Sequence, residues 1–243
     1  MRPVNRPRLL VLVLASALLT TLVGAAAAQD VRRLGARDVA GLLQAFYDQT
    51  TTLETRFSQR QYTKVYDRVD EAAGRVVFKK PGRMRWDYDA PNGQVFVSDG
   101  RTLTIYQPPE EGERVGQVLE RPVSDDQLPA AFSFLTGTGR LGRDFRMRLL
   151  DPARQGWGDV EGGYVLECRP REASPHYERV LFYVRVLARG ERQAAVIQRV
   201  LIVDAAGNTN RFDFEAAGMR FDGEVPDARF AYEPPEGTRR VRP

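Results

Sequence analysis

The sequence predicts an α+β fold: an incomplete antiparallel β-barrel, a strongly curved sheet of about 10–11 strands, wrapped around short helices with an apolar space between. Three observations predict it. Period-two alternation of apolar and charged residues dominates the chain after residue 52. Only two segments carry a helical apolar stripe. Neither has a partner helix nearby in sequence, so both greasy faces fall most simply on the concave side of the sheet.

The chain opens with Arg2, Arg6 and Arg8, then an apolar run from Leu9 to Val23, then the small residues Gly24 to Ala28. A basic head, a short greasy middle and an Ala-x-Ala end form a secretory signal peptide over residues 1–28. The run is short for a membrane span and is interrupted by Ser16, Thr20 and Thr21, which disfavours the alternative of a retained anchor. Residues 29–243 then form one domain, since no linker and no repeat divides them.

In that domain Val39, Leu42, Leu43 and Phe46 make the first helical stripe, with Asp38 as N-cap and Thr50 to Thr52 as its end. Gly74 to Lys79 reads as a strand. Met84, Trp86 and Tyr88 alternate with Arg83, Arg85 and Asp87, and Val95 and Val97 continue the pattern. Ser98-Asp99-Gly100-Arg101 is a tight turn, with Leu103 and Ile105 on the return strand. The stretch from Pro108 to Glu113 has loop composition. Leu128, Ala131, Phe132 and Leu135 make the second helical stripe, starting near Asp125 with Pro129 in its first turn. Strands resume at Phe145, Tyr164, Arg179, Ala195 and Asn210, and Phe230 with Tyr232 closes the series.

Composition narrows the function. The 243 residues are 42% hydrophobic and carry a formal charge of +4. Cleavage after Ala28 leaves 215 residues in which 33 basic side chains face 32 acidic ones. No concentrated basic face is signalled, so nucleic acid is not an expected partner. The single cysteine, Cys168, excludes an internal disulfide, and its absence after the leader excludes an N-terminal acyl anchor. Cys168 falls on an apolar strand face and reads as a buried hydrophobe.

The case for an enzyme is weak. His176 is the lone histidine, in a polar stretch, where a triad or a histidine metal cluster needs more. The acids Asp67, Asp70 and Glu71, and Glu110, Glu111 and Glu113, have the setting of solvated loops rather than of a glycosidase pair. No phosphate-cradling glycine loop is present. No metal and no cofactor is expected. What the chain offers is apolar area: Phe57, Met84, Trp86, Phe132, Phe134, Phe145, Phe182, Phe212 and Phe214 can share one interior. Periodicity alone reads this as a filled core, with a cavity as the alternative.

Several segments add a further signal. They are Phe57-x-Gln59, Gly74, Lys79-Lys80-Pro81-Gly82, Arg85-Trp86-x-Tyr88, Pro91, Val97-Ser98-Asp99-Gly100-x-x-Leu103-x-x-Tyr106 and Phe230-x-Tyr232-x-Pro234-Pro235-x-Gly237. In these residues and their spacing the chain resembles the bacterial outer-membrane lipoprotein carrier family (LolA-like periplasmic carriers). The resemblance implies an unclosed barrel with a helical lid and a cavity for lipoprotein acyl chains, with Phe57, Met84, Trp86, Leu128, Phe132, Leu135, Phe145 and Phe212 as lipid-contacting candidates. It implies a soluble periplasmic monomer that loads from an inner-membrane ABC complex and unloads at an outer-membrane acceptor. The family arginine that bonds lid backbone corresponds to Lys80, which keeps the charge without the planar fork; Arg83 is a second candidate for that role. The family's exposed aromatic at the cavity mouth corresponds to Met84. Two related functions fit the same fold: a lipid-binding envelope-stress regulator, and a carrier of other lipids such as glycolipids.

Overall fold

The computed structural model describes residues 34–123, 134–137, 139–158, 162–189 and 192–241, all within one compact unit, Leu34–Pro243. The expected leader lies outside the described residues, as does most of the second helical stripe, including Leu128 and Phe132.

Helix α1 spans Ala36–Gln49. Its N-cap is Gly35; Asp38 lies in the first turn and its carboxylate accepts the Gly35 N–H at 2.9 Å. The buried stripe is Val39, Ala40, Leu43 and Tyr47, rotated from the expected one, and Leu42 and Phe46 are half-buried. At the far end Thr50 Oγ1 donates to the Phe46 carbonyl at 2.9 Å, closing the last turn.

Eleven strands follow the expected alternation or extend it: β1 (Thr52–Thr63), β2 (Arg68–Lys79), β3 (Arg83–Tyr88), β4 (Val95–Asp99), β5 (Thr102–Gln107), β6 (Gln117–Pro122), β7 (Phe145–Leu150), β8 (Gly163–Pro170), β9 (Arg179–Arg189), β10 (Arg192–Val203) and β11 (Thr209–Phe214). Two short ones complete the sheet, β12 (Arg220–Phe221) and β13 (Arg239–Val241). A four-residue helix, α2 (Leu141–Asp144), precedes β7.

The order across the sheet is β13-β6-β5-β4-β3-β2-β1-β11-β10-β9-β8-β7, with β12 on β1. Every pairing is antiparallel except the short β13–β6. β7 and β13 are not paired with each other, so the sheet is curved and unclosed.

The concave face carries the main core. Leu53, Phe57, Val76, Phe78, Trp86, Leu166, Phe182, Ile197 and Phe214 meet α1 residues Val39, Leu43 and Tyr47 there. Gly74 is required on this face: a Cβ would sit 3.0 Å from the Phe57 ring and 2.2 Å from the Asp87 carbonyl. The convex face is covered in two places. The segment from Pro152 to Trp157 packs on Val165, Leu181 and Tyr183. Val225, Phe230 and Tyr232 pack on Val77, Val95 and Val97.

That second cover corrects a sequence expectation. Phe230 ends a 3₁₀ turn, Asp227–Phe230, and is not in a strand. The segment reaches the outer face through contacts that no ladder supplies. Lys79 donates to the Val225 carbonyl at 2.6 Å, Arg85 to the Arg229 carbonyl at 3.1 Å, and the Arg85 guanidinium lies over the Tyr232 ring at 5.8 Å. β6 was not anticipated either. Its Gln117-Val118-Leu119-Glu120 sets two apolar residues side by side and shows no period-two alternation to mark it off from the loop before it.

Candidate functional site

The concave face has a filled half and an open half. α1 packs on β10, β7 and β8 and fills the first. Tyr47 anchors it. β10 gains an extra residue between Ile197 and Arg199, a β-bulge that interrupts its ladder with β9. The Ile197 N–H so released donates to the Tyr47 hydroxyl at 3.2 Å. Burial pushes the Tyr47 hydroxyl far above the usual tyrosine range, so it stays protonated. The Tyr47 ring lies edge-on to Phe134, 5.2 Å between centroids, and Phe134 reaches Phe182 at 6.1 Å. The helix is also tied to the chain before β7: Leu141 N–H donates to Gln44 Oε1 at 3.0 Å and Arg140 pairs with Asp48 at 2.8 Å.

The second half is a half-open cleft of about 1,220 Å³ between β1–β5 and β11. Its volume exceeds the roughly 300–1,000 Å³ that suits a drug-sized ligand. The floor is apolar and aromatic: Met84, Trp86, Tyr88, Phe96, Leu103, Ile105 and Phe212. Trp86 packs edge-on against Phe57 at 4.8 Å, Phe78 at 5.7 Å and Phe212 at 5.2 Å, so the floor is held by interlocked rings. The rim is polar, with Gln59, Arg60, Gln61, Arg68, Asp70, Glu71, Asp89, Asn210 and Arg211. Burial raises the Tyr88 hydroxyl as well, which keeps that floor residue neutral.

Lys80 sits between the two halves. The chain leaves β2 through a cis Lys80–Pro81 bond, and the Lys80 ammonium donates to the Tyr47 carbonyl in the last turn of α1. Cations suit that end of a helix, where carbonyls are orphaned. The lysine stem lies against Gly137, where a Cβ would come within 2.8 Å of Lys80 Cδ. Burial lowers the Lys80 pKa, with Arg140 acting the same way and Asp48 and Asp222 opposing.

Of the residues singled out from sequence, Met84, Trp86 and Phe212 line the cleft. Phe57 stands behind Trp86, and Leu135 and Phe145 belong to the core. Met84 is 3% exposed and so forms wall, not an exposed mouth residue. Arg83 pairs with Asp227 at 2.8 Å under the C-terminal segment, on the face opposite α1. Tyr88, Phe96, Leu103 and Ile105 were not singled out, although Tyr88, Leu103 and Ile105 lie on the apolar phase of strands whose alternation is plain. His176 is exposed on a loop, and Cys168 is fully buried, its thiol raised by that burial. No group of metal-ligating side chains occurs among the described residues, and no described helix is long and apolar enough to cross a membrane.

The family model described as outer membrane lipoprotein carrier protein LolA matches residues 48–233. An outer-membrane lipoprotein carrier protein of Alkalilimnicola ehrlichii is 29% identical over 196 residues, covering 80% of this chain and 79% of that protein. One from Chromobacterium violaceum is 27% identical over 195 residues, covering 80% and 83%. A crystal structure of a LolA superfamily protein from Nitrosomonas europaea superposes with a TM-score of 0.44 at 15% identity, over 82% of this chain and 98% of that one. The match to the family model runs from the end of α1 to the segment that covers the outer face, and on that span the chain belongs to the LolA family of outer membrane lipoprotein carrier proteins.

Proposed function

We propose that this chain is exported by its leader and works in the periplasm as a carrier of lipoproteins, holding their acyl chains on the cleft floor. The observation that carries the reading is the half-open cleft of about 1,220 Å³ with its aromatic floor. Each buried CH₂ contributes about 0.8 kcal/mol, so two or three chains represent tens of kcal/mol in gross transfer. A carrier that kept all of that would not release its cargo. A helix that must move before the chains extend past the cleft lowers the net affinity, because the closed state is itself favourable. α1 is that helix in this reading, and Lys80, not Arg83, is the side chain that holds it closed. Leu128 and Phe132, which lie outside the described residues, are assigned to the same lid in this reading. Loading comes from an inner-membrane ABC complex and delivery goes to an outer-membrane acceptor.

The test is displacement. A fluorescent lipid bound to the purified mature protein should be displaced by a triacylated peptide and not by the same peptide without acyl chains. Failure of the protein to bind either the probe or the acylated peptide overturns the reading.

A further inference from the structure

Among the described residues, one charged group of the cleft has no ion-pair partner. Arg121 lies on β6 opposite Leu103, Leu103 lies opposite Ser98, and Ser98 opposite Met84. Residues opposite one another in antiparallel strands share a face, so Arg121 ends a row that runs Leu53, Phe78, Met84, Ser98, Leu103 across the concave surface. It lines the cleft. Its Nε is buried and has no hydrogen-bond partner among the described residues.

Three arginines have a buried Nε of this kind, and the other two keep a carboxylate neighbour: Arg179 has Glu167 at 3.1 Å and Arg211 has Asp213 at 2.8 Å. The remaining charges of the cleft are also matched. Arg60 lies 3.7 Å from Glu71, Arg68 lies 2.6 Å from Asp70, and Asp89 is paired with Arg56. Glu120, next to Arg121 in the strand, is on the opposite face and is held by Arg240 at 2.7 Å. No carboxylate is ion-paired with Arg121 among the described residues.

A planar guanidinium whose Nε has no partner among the described residues, at the end of a mostly apolar row, is matched by an oxyanion, which accepts two parallel N–H bonds from such a group. We propose that the cleft takes an amphiphile bearing a carboxylate or phosphate beside its acyl chain, with Arg121 as the anchor for that oxyanion. The chain then lies over Leu103, Met84 and Trp86. This deepens the carrier reading and rests on its acyl-binding floor.

The test uses two matched pairs of probes on the purified protein at about pH 8, where the acidic heads are ionised: palmitate against hexadecanol, and lysophosphatidate against monopalmitoylglycerol. All are kept below their critical micelle concentrations. A charge-assisted hydrogen bond in a desolvated site is worth about ten- to a hundredfold in affinity. The anionic member of at least one pair is expected to bind at least tenfold more tightly, and the pair that shows it identifies carboxylate or phosphate as the head. Arg121→Gln should abolish the preference, bringing the anionic member of the pair to within about twofold of the neutral one. Arg121→Lys, the milder change, should keep part of it. Equal binding within both pairs overturns the anchor and leaves the acyl floor standing. A preference that survives unchanged in both variants also overturns it. Binding of no probe at all overturns the carrier reading and the anchor together.

Discussion

At the scale of single residues, the most consequential side chains lie off the apolar pattern. Tyr47 is one. A buried N–H left without an acceptor costs about 1–3 kcal/mol, and Tyr47→Phe creates such a group at Ile197 while keeping the ring contact with Phe134. The variant should lose about that much stability in urea unfolding, with the Ile197 amide among those whose exchange accelerates most. Glu167 is another. Its carboxylate is 1% exposed and is held by Arg148, by Arg179 at 3.1 Å and by Arg169 at 3.4 Å. Burial raises its pKa, but the hydrogen bonds from Arg148 and Arg179 outweigh it, and the group stays ionised below the ordinary 4.5. A carboxyl whose folded pKa is depressed stabilises above its unfolded value, and that contribution disappears as pH falls through the folded one. Glu167→Gln should therefore cost about 1–2 kcal/mol at neutral pH, since the freed arginines can turn to water. The difference from wild type should shrink below about pH 4 and vanish in strong acid, as read from unfolding curves across that range.

At the scale of elements, the two halves of the sheet differ in how they are closed. The β7–β10 half is sealed by α1, whose Val39 and Leu43 are fully buried. The β1–β5 half holds the cleft of about 1,220 Å³. The tether between them is the Lys80 ammonium on the last turn of α1. Lys80→Met removes the bond and keeps most of the stem against Gly137. If α1 yields to cargo, a weaker closed state raises apparent affinity by the amount by which closure is disfavoured. Triacylated peptide should bind about three- to tenfold more tightly to Lys80→Met, with amide exchange near Tyr47 faster in the empty protein. Unchanged affinity with faster exchange would make Lys80 a structural brace only. Much of this layout was legible in the chain. The alternation around Met84, Trp86 and Tyr88, the Asp99-Gly100 turn and the apolar stripe of α1 each follow from local periodicity. The position of the stripe did not. Which face of α1 is buried depends on a bulge in β10, some 150 residues away, and no local pattern reports that. Phe230 and Tyr232 misled for a related reason: they alternate like a strand but are recruited to the outer face by Lys79 and Arg85.

At the scale of the whole molecule, the decisive distinction is between a core and a container. Sequence periodicity cannot draw it, because Phe145 and Phe182 on the filled side and Trp86 and Phe212 on the open side share one apolar phase. The difference comes from what the curved sheet encloses. Beneath α1 there are helical side chains to interlock with. Over β3–β5 among the described residues there is free volume. Filling that volume therefore separates binding from folding. Ile105 is half-buried on the cleft floor, so a tryptophan there can extend into open space without the strain of about 1–3 kcal/mol that overpacking a solid core exacts. Its added apolar area adds burial at about 25 cal/mol per Å². Ile105→Trp should leave the urea midpoint unchanged or slightly raised and weaken acylated-peptide binding about tenfold or more. The same substitution in a solid interior would lower both together. A joint loss of stability and binding would mean that the floor around Ile105 is packed core, and that the acyl chains, if the protein takes them, lie elsewhere.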